Sequence, residues 1–372
     1  MKVLHIHAET LYGGVETFLL TLARERHLCP EMEPMFALCY DQRLTGELRE
    51  AGSPVTLLGE PRLSRPLSVL LANRLLGKWI DEHSPDVIVS HMPKPYSLFA
   101  GLIRRRRIPH VLYLHMPLSK TVFETLAAKT PVADLMVGVS AHTAQTGREF
   151  VFPQAKTTVI HCLMPWPVSR YAGNAEQRQE VRREFETAEE DVVLIQASRL
   201  AAWKGHVRLL DALGHLKDVP GWVFWAVGGP QTDEEVSYFE GLKAQADRLG
   251  IRDRIRFAGQ RKDVPRLLPA ADIYCQANTA SEGFSMSFIE AFSAGLPVVT
   301  TDIGSAREAV SEDVGFTTPV GDAPAFAAAL KTLITDPERR EKMGDAARKR
   351  VVALCDTAQQ IRRLHDECRQ LL

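Results

Sequence analysis

The chain has 372 residues, a formal net charge of −1 and a hydrophobic content of 45%. This length exceeds the range over which one hydrophobic core keeps growing, so we expect two domains. The near-zero net charge gives no general attraction to nucleic acid. No stretch of the sequence approaches the roughly 18 apolar residues of a membrane span, and the first ten residues lack the apolar segment of a signal peptide.

The six cysteines form no Cys-x-x-Cys pair, and their spacing indicates neither a metal site nor a disulfide framework. Scattered cysteines in mostly apolar segments are typical of a reducing compartment. We therefore expect a cytoplasmic protein, with the inner face of the membrane as an alternative place of action.

The first 165 residues alternate short apolar runs with segments of helical period. Runs typical of buried strands occur at Val3–Ile6, Met35–Cys39, Val55–Leu58, Val87–Ser90, His110–Leu114 and Leu135–Val139. Helical periodicity is found at Val15–Arg24, Leu67–Glu82 and Tyr96–Arg106. Because strands that alternate with helices form parallel sheets, residues 1–165 are predicted to be a Rossmann-like α/β domain.

A second alternating series follows a break at residues 160–170, where two prolines and no periodicity predict a linker. Residues 166–187 are interpreted as this linker with a connecting helix at Glu176–Glu186, and residues 188–355 as the second domain. Strands are predicted at Val192–Ala197, Val223–Val227, Ile255–Ala258, Ile273–Gln276 and Val298–Thr301. Helices are predicted at Val207–Leu216, Glu234–Leu249, Val264–Leu268, Phe288–Ala294, Ala323–Thr335, Pro337–Leu354 and Thr357–Leu371. Since parallel sheets bind ligands beyond the carboxyl ends of their strands, we expect the site in a deep cleft between two facing domains.

The segment from Ser281 to Val310 carries two carboxylates, Glu282 and Glu290, eight residues apart. Glu282 stands in a glycine-containing turn before a predicted helix, and Glu290 about two turns into that helix. A turn that leads into a helix offers backbone N–H groups and the positive end of the helix dipole to a diphosphate. A pair of surface glutamates with no ligand remains the alternative for these residues alone.

A second motif, Ser-Arg-Leu-Ala-Ala-Trp-Lys-Gly at residues 198–205, follows the first strand of the second domain. It places Arg199 and Lys204 on a loop where a ligand is expected. An arginine can clamp phosphate oxygens with two hydrogen bonds, and a lysine adds a mobile charge. Two solvated surface cations are the alternative.

Together, in this order, the two motifs resemble those of the family 4 glycosyltransferases, which have the GT-B architecture. Glu282 and Glu290 match the family's Glu-x7-Glu motif, and Arg199 and Lys204 its Arg-x4-Lys pair. The resemblance extends over the whole chain, with matches to the family's glycine loop, active-site histidine and returning C-terminal helix at Gly13-Gly14, His115 and residues 356–372. The chain departs from the family's usual residues at Ala277-Asn278, Ser285 and Gly304-Ser305.

The resemblance implies a retaining transfer of a sugar from a nucleotide-diphosphate sugar, with a UDP-sugar favoured and a GDP-sugar as the alternative. The implied acceptor is a glycan, a lipid-linked sugar or a small molecule, bound by the first domain. The resemblance implies that the diphosphate is held by Arg199, Lys204 and the backbone at Gly283, Phe284 and Ser285. It implies that Glu290 holds the ribose and Glu282 the donor sugar. It also implies that Gly13 and Gly14 close the site and that His115 orients the donor sugar and acceptor.

No Asp-x-Asp pair and no His/Cys/Asp cluster with ligand spacing occur, so we expect no metal and no other cofactor. The cations and a helix dipole can neutralise a leaving diphosphate instead. Two other functions remain open. A nucleotide-sugar epimerase of GT-B type would act on the donor alone, and a non-catalytic nucleotide-sugar-binding protein would form no product.

Two segments mix basic and apolar residues, residues 63–80 and Arg104–Arg107 with the helix before it. Either segment fits a peripheral contact with anionic lipid. The alternative is a pair of helices that pack on the sheet, since these carry the same apolar stripe.

Overall fold

The computed structural model describes residues 1–10, 13–118, 130–164 and 167–372. The chain divides into two compact units, one of residues 1–165 with 355–372 and one of residues 166–354. Both units have a parallel β-sheet with helices in the connections. The prediction of two Rossmann-like α/β domains of the GT-B type is confirmed. None of the helices in the described ranges is long and apolar enough to cross a bilayer.

The first unit is built on a parallel sheet with the strand order β3-β2-β1-β4-β5-β6-β7 across its described residues. The strands are β1 Lys2–His7, β2 Glu33–Leu38, β3 Val55–Leu57, β4 Val87–His91, β5 His110–Leu114, β6 Leu135–Gly138 and β7 Thr157–Val159. The helices between them are α1 Gly14–Arg24, α2 Arg43–Glu50, α3 Pro66–His83, α4 Pro93–Arg105 and α5 Ala141–Phe150. The inner strands are almost entirely buried and mostly apolar, with polar exceptions such as His5 and Ser90, as expected for a parallel sheet.

The second unit has a parallel sheet with the order β10-β9-β8-β11-β12-β13. Its strands are β8 Val192–Ala197, β9 Trp222–Val227, β10 Ile255–Gly259, β11 Ile273–Gln276, β12 Val298–Thr301 and β13 Gly315–Thr318. Its helices are α6 Ala175–Glu184, α7 His206–Gly214, α8 Asp233–Leu249, α9 Val264–Leu267, α10 Met286–Ala294, α11 Ala306–Ala309, α12 Ala323–Thr335 and α13 Pro337–Cys355. The core between sheet and helices includes Trp222, Phe224, Leu209 and Leu330, all buried.

The last helix, α14 at Thr357–Arg369, belongs to the first unit. The Gln360 Oε1 atom accepts a hydrogen bond from the backbone N–H of His161 at 3.1 Å. The Thr357 hydroxyl donates to the backbone oxygen of Met164 at 3.1 Å. These contacts join the end of the chain to the segment that follows β7.

The connecting helix departs from its predicted role, because α6 packs within the second unit. Arg178 and Arg182 each donate to one carboxylate oxygen of Asp272, both at 2.7 Å. The Arg182 side chain is buried, and its other N–H groups donate to backbone oxygens of its own unit. The residues from 167 to 187 are therefore part of the second unit and not a free linker, while Pro165 of the predicted linker lies outside the described residues.

Candidate active site

The loop after β8 carries the first predicted motif and lies against the end of β11. Gly205 makes this approach possible: its φ angle is +72°, and a Cβ atom there would lie 1.6 Å from the backbone oxygen of Ala277. The Gln196 side chain supports the loop, because its Nε2 donates to the backbone oxygen of Lys204 at 3.0 Å. The loop thereby brings Lys204 to the turn that carries Glu282.

Lys204 and Glu282, which are 78 residues apart in the chain, form an ion pair with a distance of 2.7 Å from Nζ to Oε1. The two side chains are only 12% and 14% exposed. The same Oε1 atom accepts hydrogen bonds from Gln276 Nε2 at 3.0 Å and from Asn278 Nδ2 at 2.8 Å. Three donors thus fix the carboxylate of Glu282, and Asn278, a departure from the family's usual residues, is one of them.

Burial lowers the pKa of Lys204, and the nearby charge of Arg199 acts in the same direction against the attraction of Glu282. The Trp203 ring lies beneath the ammonium group, with 4.3 Å from Nζ to the ring centroid. Sequence reasoning gave Lys204 and Glu282 separate roles, at the diphosphate and at the sugar. The structure joins them in one buried pair.

A cavity of about 250 Å³ opens at the carboxyl ends of β8, β9 and β10. This is the edge of a parallel sheet where ligands bind. Arg199 and Glu290, two of the predicted site residues, both line it. The other lining residues are Ala197, Ser198, Val227, Gly228, Gly229, Gln231, Gln260, Arg261 and Val264. A Cβ atom at Gly228 would lie 2.1 Å from the backbone oxygen of Ser198, so only a glycine keeps the loops after β8 and β9 this close.

Glu290 is the fifth residue of α10, little more than one turn into the helix, because the helix begins at Met286. The prediction of two turns was wrong. Its Oε1 atom accepts a hydrogen bond from the Tyr171 hydroxyl at 3.0 Å. Burial raises the pKa of Glu290, while the bond from Tyr171 opposes this shift. A carboxylate held in this way can accept hydrogen bonds from the hydroxyls of a ligand in the cavity.

Gly283, Phe284 and Ser285 are buried and lie between Glu282 and the first turn of α10. Ser285 is the residue that precedes the helix, and its hydroxyl shares a hydrogen bond with the Ser287 hydroxyl at 2.9 Å. The positive end of a helix dipole is favourable for an anion. The expected turn into a helix is therefore present, directly after the Lys204–Glu282 pair.

In the first unit, Gly13 and Gly14 form the start of α1, and Gly13 already uses its backbone N–H. That group donates to Glu16 Oε2 at 2.7 Å, and Glu16 Oε1 lies 2.7 Å from His7 Nε2. Burial alone would raise the pKa of Glu16, but the His7 and backbone hydrogen bonds lower it overall. The Gly13 amide is thus held within the chain, and His7 and Glu16 are polar neighbours of the glycine loop that sequence reasoning did not include.

His115 lies directly after β5 and is partly buried against aromatic rings. Its ring stacks on Tyr113 with a centroid distance of 4.6 Å, and Phe18 meets it edge-on at 5.2 Å. Its Nε2 atom lies 2.8 Å from His91 Nδ1. Among the described residues, no group of three or more His, Cys, Asp or Glu side chains could hold a metal ion.

Two family models match this chain. Residues 12–164 match the model described as "Glycosyltransferase Family 4", and residues 177–350 match "Glycosyl transferases group 1". Together these matches cover most of both units. The chain belongs to the family 4 glycosyltransferases.

Curated relatives of this glycosyltransferase match it over most of their length. One is the GDP-mannose-dependent alpha-(1-6)-phosphatidylinositol monomannoside mannosyltransferase of Mycolicibacterium smegmatis, 27% identical over 90% of this chain and 89% of the relative. Another is the lipopolysaccharide core biosynthesis glycosyltransferase LpsD of Rhizobium meliloti, 25% identical over 92% of this chain and 91% of the relative. The chain is thus similar to named sugar transferases from end to end.

Solved structures resemble this glycosyltransferase over both of its units. Anabaena HepE in complex with UDP has a TM-score of 0.85 and 25% identity, with all of both chains covered. HepE in complex with UDP-glucose has a TM-score of 0.80 and 26% identity. A glycosyltransferase of Rickettsia africae has a TM-score of 0.87 at 18% identity, which shows a common fold.

Two of the residues that line this cavity, Arg199 and Glu290, were identified from the sequence because each belongs to a motif with a characteristic spacing. Sequence reasoning missed Gly228, Gly229, Gln260 and Arg261, which lie on loops after β9 and β10. Their position after strands of a parallel sheet is the signal that could have identified them. It also missed Tyr171, whose contact with Glu290 spans 119 residues of sequence and leaves no local pattern.

Proposed function

We propose that this glycosyltransferase transfers a hexosyl or N-acetylhexosaminyl group from a nucleoside-diphosphate sugar to a sugar-containing or lipid-linked acceptor, with retention at the anomeric carbon. The observation that supports the donor class best is the cavity in the second unit that Arg199 and Glu290 share. A guanidinium binds phosphate oxygens with two hydrogen bonds, whereas a carboxylate accepts hydrogen bonds from sugar hydroxyls. A nucleotide sugar needs both chemistries, because its diphosphate is flanked by the hydroxyls of the ribose and of the sugar.

The proposed donor is a UDP-sugar, with a GDP-sugar as the alternative. HepE, 25–26% identical to this chain, is solved with UDP and with UDP-glucose, which supports a uridine nucleotide. The mycobacterial relative is named as GDP-mannose-dependent, which supports a guanosine nucleotide. That relative's name also contains a phosphatidylinositol mannoside, so a lipid-linked acceptor fits the proposal.

In the proposed reaction, the bond from the anomeric carbon to the diphosphate oxygen breaks and a bond from the acceptor oxygen to that carbon forms on the same face. The acceptor proton passes to the departing phosphate oxygen. Arg199 and Lys204 stabilise the charge that develops on the diphosphate, together with the helix end after Gly283. Glu282, held on Oε1 by three donors, accepts hydrogen bonds from the donor sugar. His115 donates to or accepts from the sugar that is transferred.

The proposal is tested by incubation of the protein with UDP- and GDP-linked hexoses and N-acetylhexosamines, with and without membrane lipid extracts. A transferase forms free nucleoside diphosphate and a new glycoside in equal amounts, and only when an acceptor is present. Conversion of the donor to an isomeric nucleotide sugar would identify an epimerase instead. Binding without either product over the whole donor panel would favour a non-catalytic protein.

We also propose that the reaction needs no metal ion, because cations of the chain itself lie at the predicted diphosphate site. Turnover should then stay within about twofold of its starting value in excess EDTA. The measurement is the rate of nucleoside diphosphate release before and after chelation, with a metal-dependent glycosyltransferase as the control. Complete loss of activity that Mg²⁺ or Mn²⁺ restores would contradict this proposal.

Helix α3 supports a peripheral membrane contact in this function. Its buried face packs Ala72, Leu76 and Ile80 into the core of the first unit. The alternative interpretation, in which the whole apolar stripe packs on the sheet, does not hold for the leucines outside this face. Leu67, Leu70 and Leu71 of α3 are 81%, 67% and 54% exposed, and Leu63, which precedes the helix, is 65% exposed.

Exposed cations lie close to these leucines in sequence, at Arg65, Arg74 and Lys78. Apolar side chains flanked by cations are typical of helices that lie in the interface of an anionic membrane. We therefore propose that α3 docks the enzyme on an anionic lipid surface, where a lipid-linked acceptor would be found. The basic segment at Arg104–Arg107 contributes less, because Arg106 is held by Asp81 at 2.8 Å.

The triple variant L67S/L70S/L71S should bind vesicles of phosphatidylglycerol at least tenfold more weakly than the wild type, since each inserted leucine is worth about 1.5–3 kcal/mol when fully buried. Co-sedimentation with vesicles measures this effect. Val236→Ser, at an exposed valine of α8, is the matched control and should bind as the wild type. Equal binding of the triple variant would show that α3 does not insert, and equal binding to phosphatidylcholine would exclude the anionic preference.

A further inference from the structure

Three histidines on or directly after three neighbouring strands form a continuous hydrogen-bonded chain in the first unit. His5 Nδ1 lies 2.9 Å from His91 Nε2, and His91 Nδ1 lies 2.8 Å from His115 Nε2. His5 is on β1, His91 ends β4, and His115 follows β5. These strands are adjacent in the sheet, so the topology itself places the three rings in a row.

Aromatic side chains enclose this row. Phe36 stacks on His5 with a centroid distance of 5.6 Å, and Tyr113 stacks on His91 at 5.3 Å. His5 and His91 are completely buried, whereas His115 is partly exposed. Burial lowers the pKa of His5 to about 3 and that of His91 well below its usual value, and the other histidines add to the shift at His91. The rings of His5 and His91 are therefore neutral at physiological pH, and each carries a proton on only one of its two nitrogens.

Neutral rings in such a row must share one tautomer. If His91 carries its proton on Nδ1, it donates to His115 Nε2 and accepts from His5 Nδ1, so all three rings are protonated on Nδ1. If His91 carries its proton on Nε2, both hydrogen bonds reverse and all three rings are protonated on Nε2. The two arrangements differ at the ends of the row, at His5 Nε2 and at His115 Nδ1.

The inner end of the row decides between the two arrangements. His5 Nε2 is buried and has no hydrogen-bond partner. In the first arrangement this atom is a bare acceptor, and in the second it is an N–H donor without an acceptor. Buried N–H groups without a partner are rarer in proteins than buried acceptors without one. The environment of His5 therefore favours protonation of all three rings on Nδ1.

We propose that His5 and His91 are positioning residues that hold His115 as its Nδ1–H tautomer, so that His115 offers the substrate a hydrogen-bond donor. Nε2 of His115 is engaged by His91, which leaves Nδ1 as the ring nitrogen that can meet a ligand. Such a donor selects an acceptor atom, such as a sugar hydroxyl oxygen. This inference rests on the proposed function, in which His115 contacts the transferred sugar.

The tautomer is read directly from long-range ¹H–¹⁵N NMR spectra of the ligand-free protein, in which the two nitrogens of a neutral imidazole have well-separated shifts. The expected result is protonation of His115 on Nδ1. Protonation on Nε2 in the wild type would overturn the proposal. This readout does not depend on any activity of the enzyme.

Two substitutions at His91 separate its hydrogen bond from its volume. The Asn side chain places its amide nitrogen close to the position of Nδ1, so His91→Asn keeps a donor for His115 Nε2. His91→Phe fills the space but donates nothing. We expect kcat within about threefold of wild type for His91→Asn and at least tenfold lower for His91→Phe. In His91→Phe the His115 ring should also be a mixture of both tautomers. Equal kcat for the two variants would overturn the proposal.

His110→Phe is the matched control, because His110 is also buried but bonds to the Ser90 hydroxyl at 2.8 Å and stands outside the row. It should lower stability without a change in the His115 tautomer. If His91→Phe does not fold, His91→Asn gives a second test: protonation of His115 on Nε2 in that variant, whose amide still donates to this atom, would overturn the proposal. Wild-type turnover of His115→Ala would refute the proposed contact with the sugar, whatever tautomer the NMR spectra show.

Discussion

Replacement of Lys204 by alanine should lower turnover at least tenfold. A hydrogen bond from a charged group to the leaving diphosphate is worth about 1.5–3 kcal/mol, which corresponds to roughly ten- to a hundredfold in rate. Steady-state release of nucleoside diphosphate measures the effect. Lys217→Ala, at an exposed lysine of the same unit, is the control and should be fully active. A folded Lys204→Ala variant with wild-type turnover would refute the role of this cation.

The same substitution should also destabilise the protein, because Glu282 loses its counter-charge while Gln276 and Asn278 still donate to it. Removal of one partner from a buried ion pair costs about 3–5 kcal/mol. The double variant K204M/E282Q has no unpaired charge, so it should regain much of this stability and remain inactive. Urea unfolding of the single and double variants separates the two effects. Recovery of turnover in the double variant would contradict a catalytic role for the Lys204 charge.

Acid should destabilise the protein steeply, starting below about pH 6.5, because several of its histidines are buried in the neutral form. Burial lowers the pKa of His5 and of His110 to about 3 and that of His206 to about 4. The unfolded chain, with histidine pKa values near 6.5, takes up protons that the folded chain excludes. The free energy of unfolding therefore falls as the pH decreases from about 6.5 towards these low values.

The expected loss is about 1 kcal/mol per buried histidine between pH 6.5 and pH 5.5, because an unfolded histidine is half protonated at its pKa and almost fully protonated one unit below it. Three such groups would remove roughly 3 kcal/mol, a substantial part of the roughly 5–15 kcal/mol that stabilises a typical domain. Urea unfolding at pH 7.5, 6.5 and 5.5 measures this dependence. His27→Gln, at an exposed histidine, should leave the dependence of the unfolding free energy on pH unchanged. His110→Asn should make this dependence weaker by the contribution of one buried histidine. A stability that is constant from pH 7.5 to 5.5 would contradict this explanation.

The central elements of both sheets could be predicted from the sequence, because apolar residues predominate in them. The strands Val192–Ala197 and Ile273–Gln276 and the helix Ala323–Thr335 have the predicted bounds. The strands that were missed, β7 and β13, stand at the edges of their sheets, where one neighbour is lacking and threonine replaces aliphatic residues. Helix α5, with the sequence AHTAQTGREF, has too few apolar residues for a helical period.

The candidate site was predictable where one short segment carries the pattern and not where distant segments meet. Arg199 and Glu290 were identified from local motifs, and the structure places both at one cavity. The ion pair of Lys204 with Glu282 joins residues 78 positions apart, and the bond of His5 to His91 joins residues 86 positions apart. Such contacts depend on strand order, which the sequence pattern does not specify.

The central claim is that the cavity of Arg199 and Glu290 binds the nucleotide of the donor. Isothermal titration of the wild type, Arg199→Ala and Glu290→Gln with UDP and with GDP tests it most directly. Arg208→Ala is the control, because this arginine is 58% exposed on α7 and does not line the cavity. We expect one nucleotide to bind with a stoichiometry of one, and both cavity variants to bind it at least tenfold more weakly while the control is unaffected. Undiminished affinity in both cavity variants, or no binding of either nucleotide by the wild type, would contradict the claim.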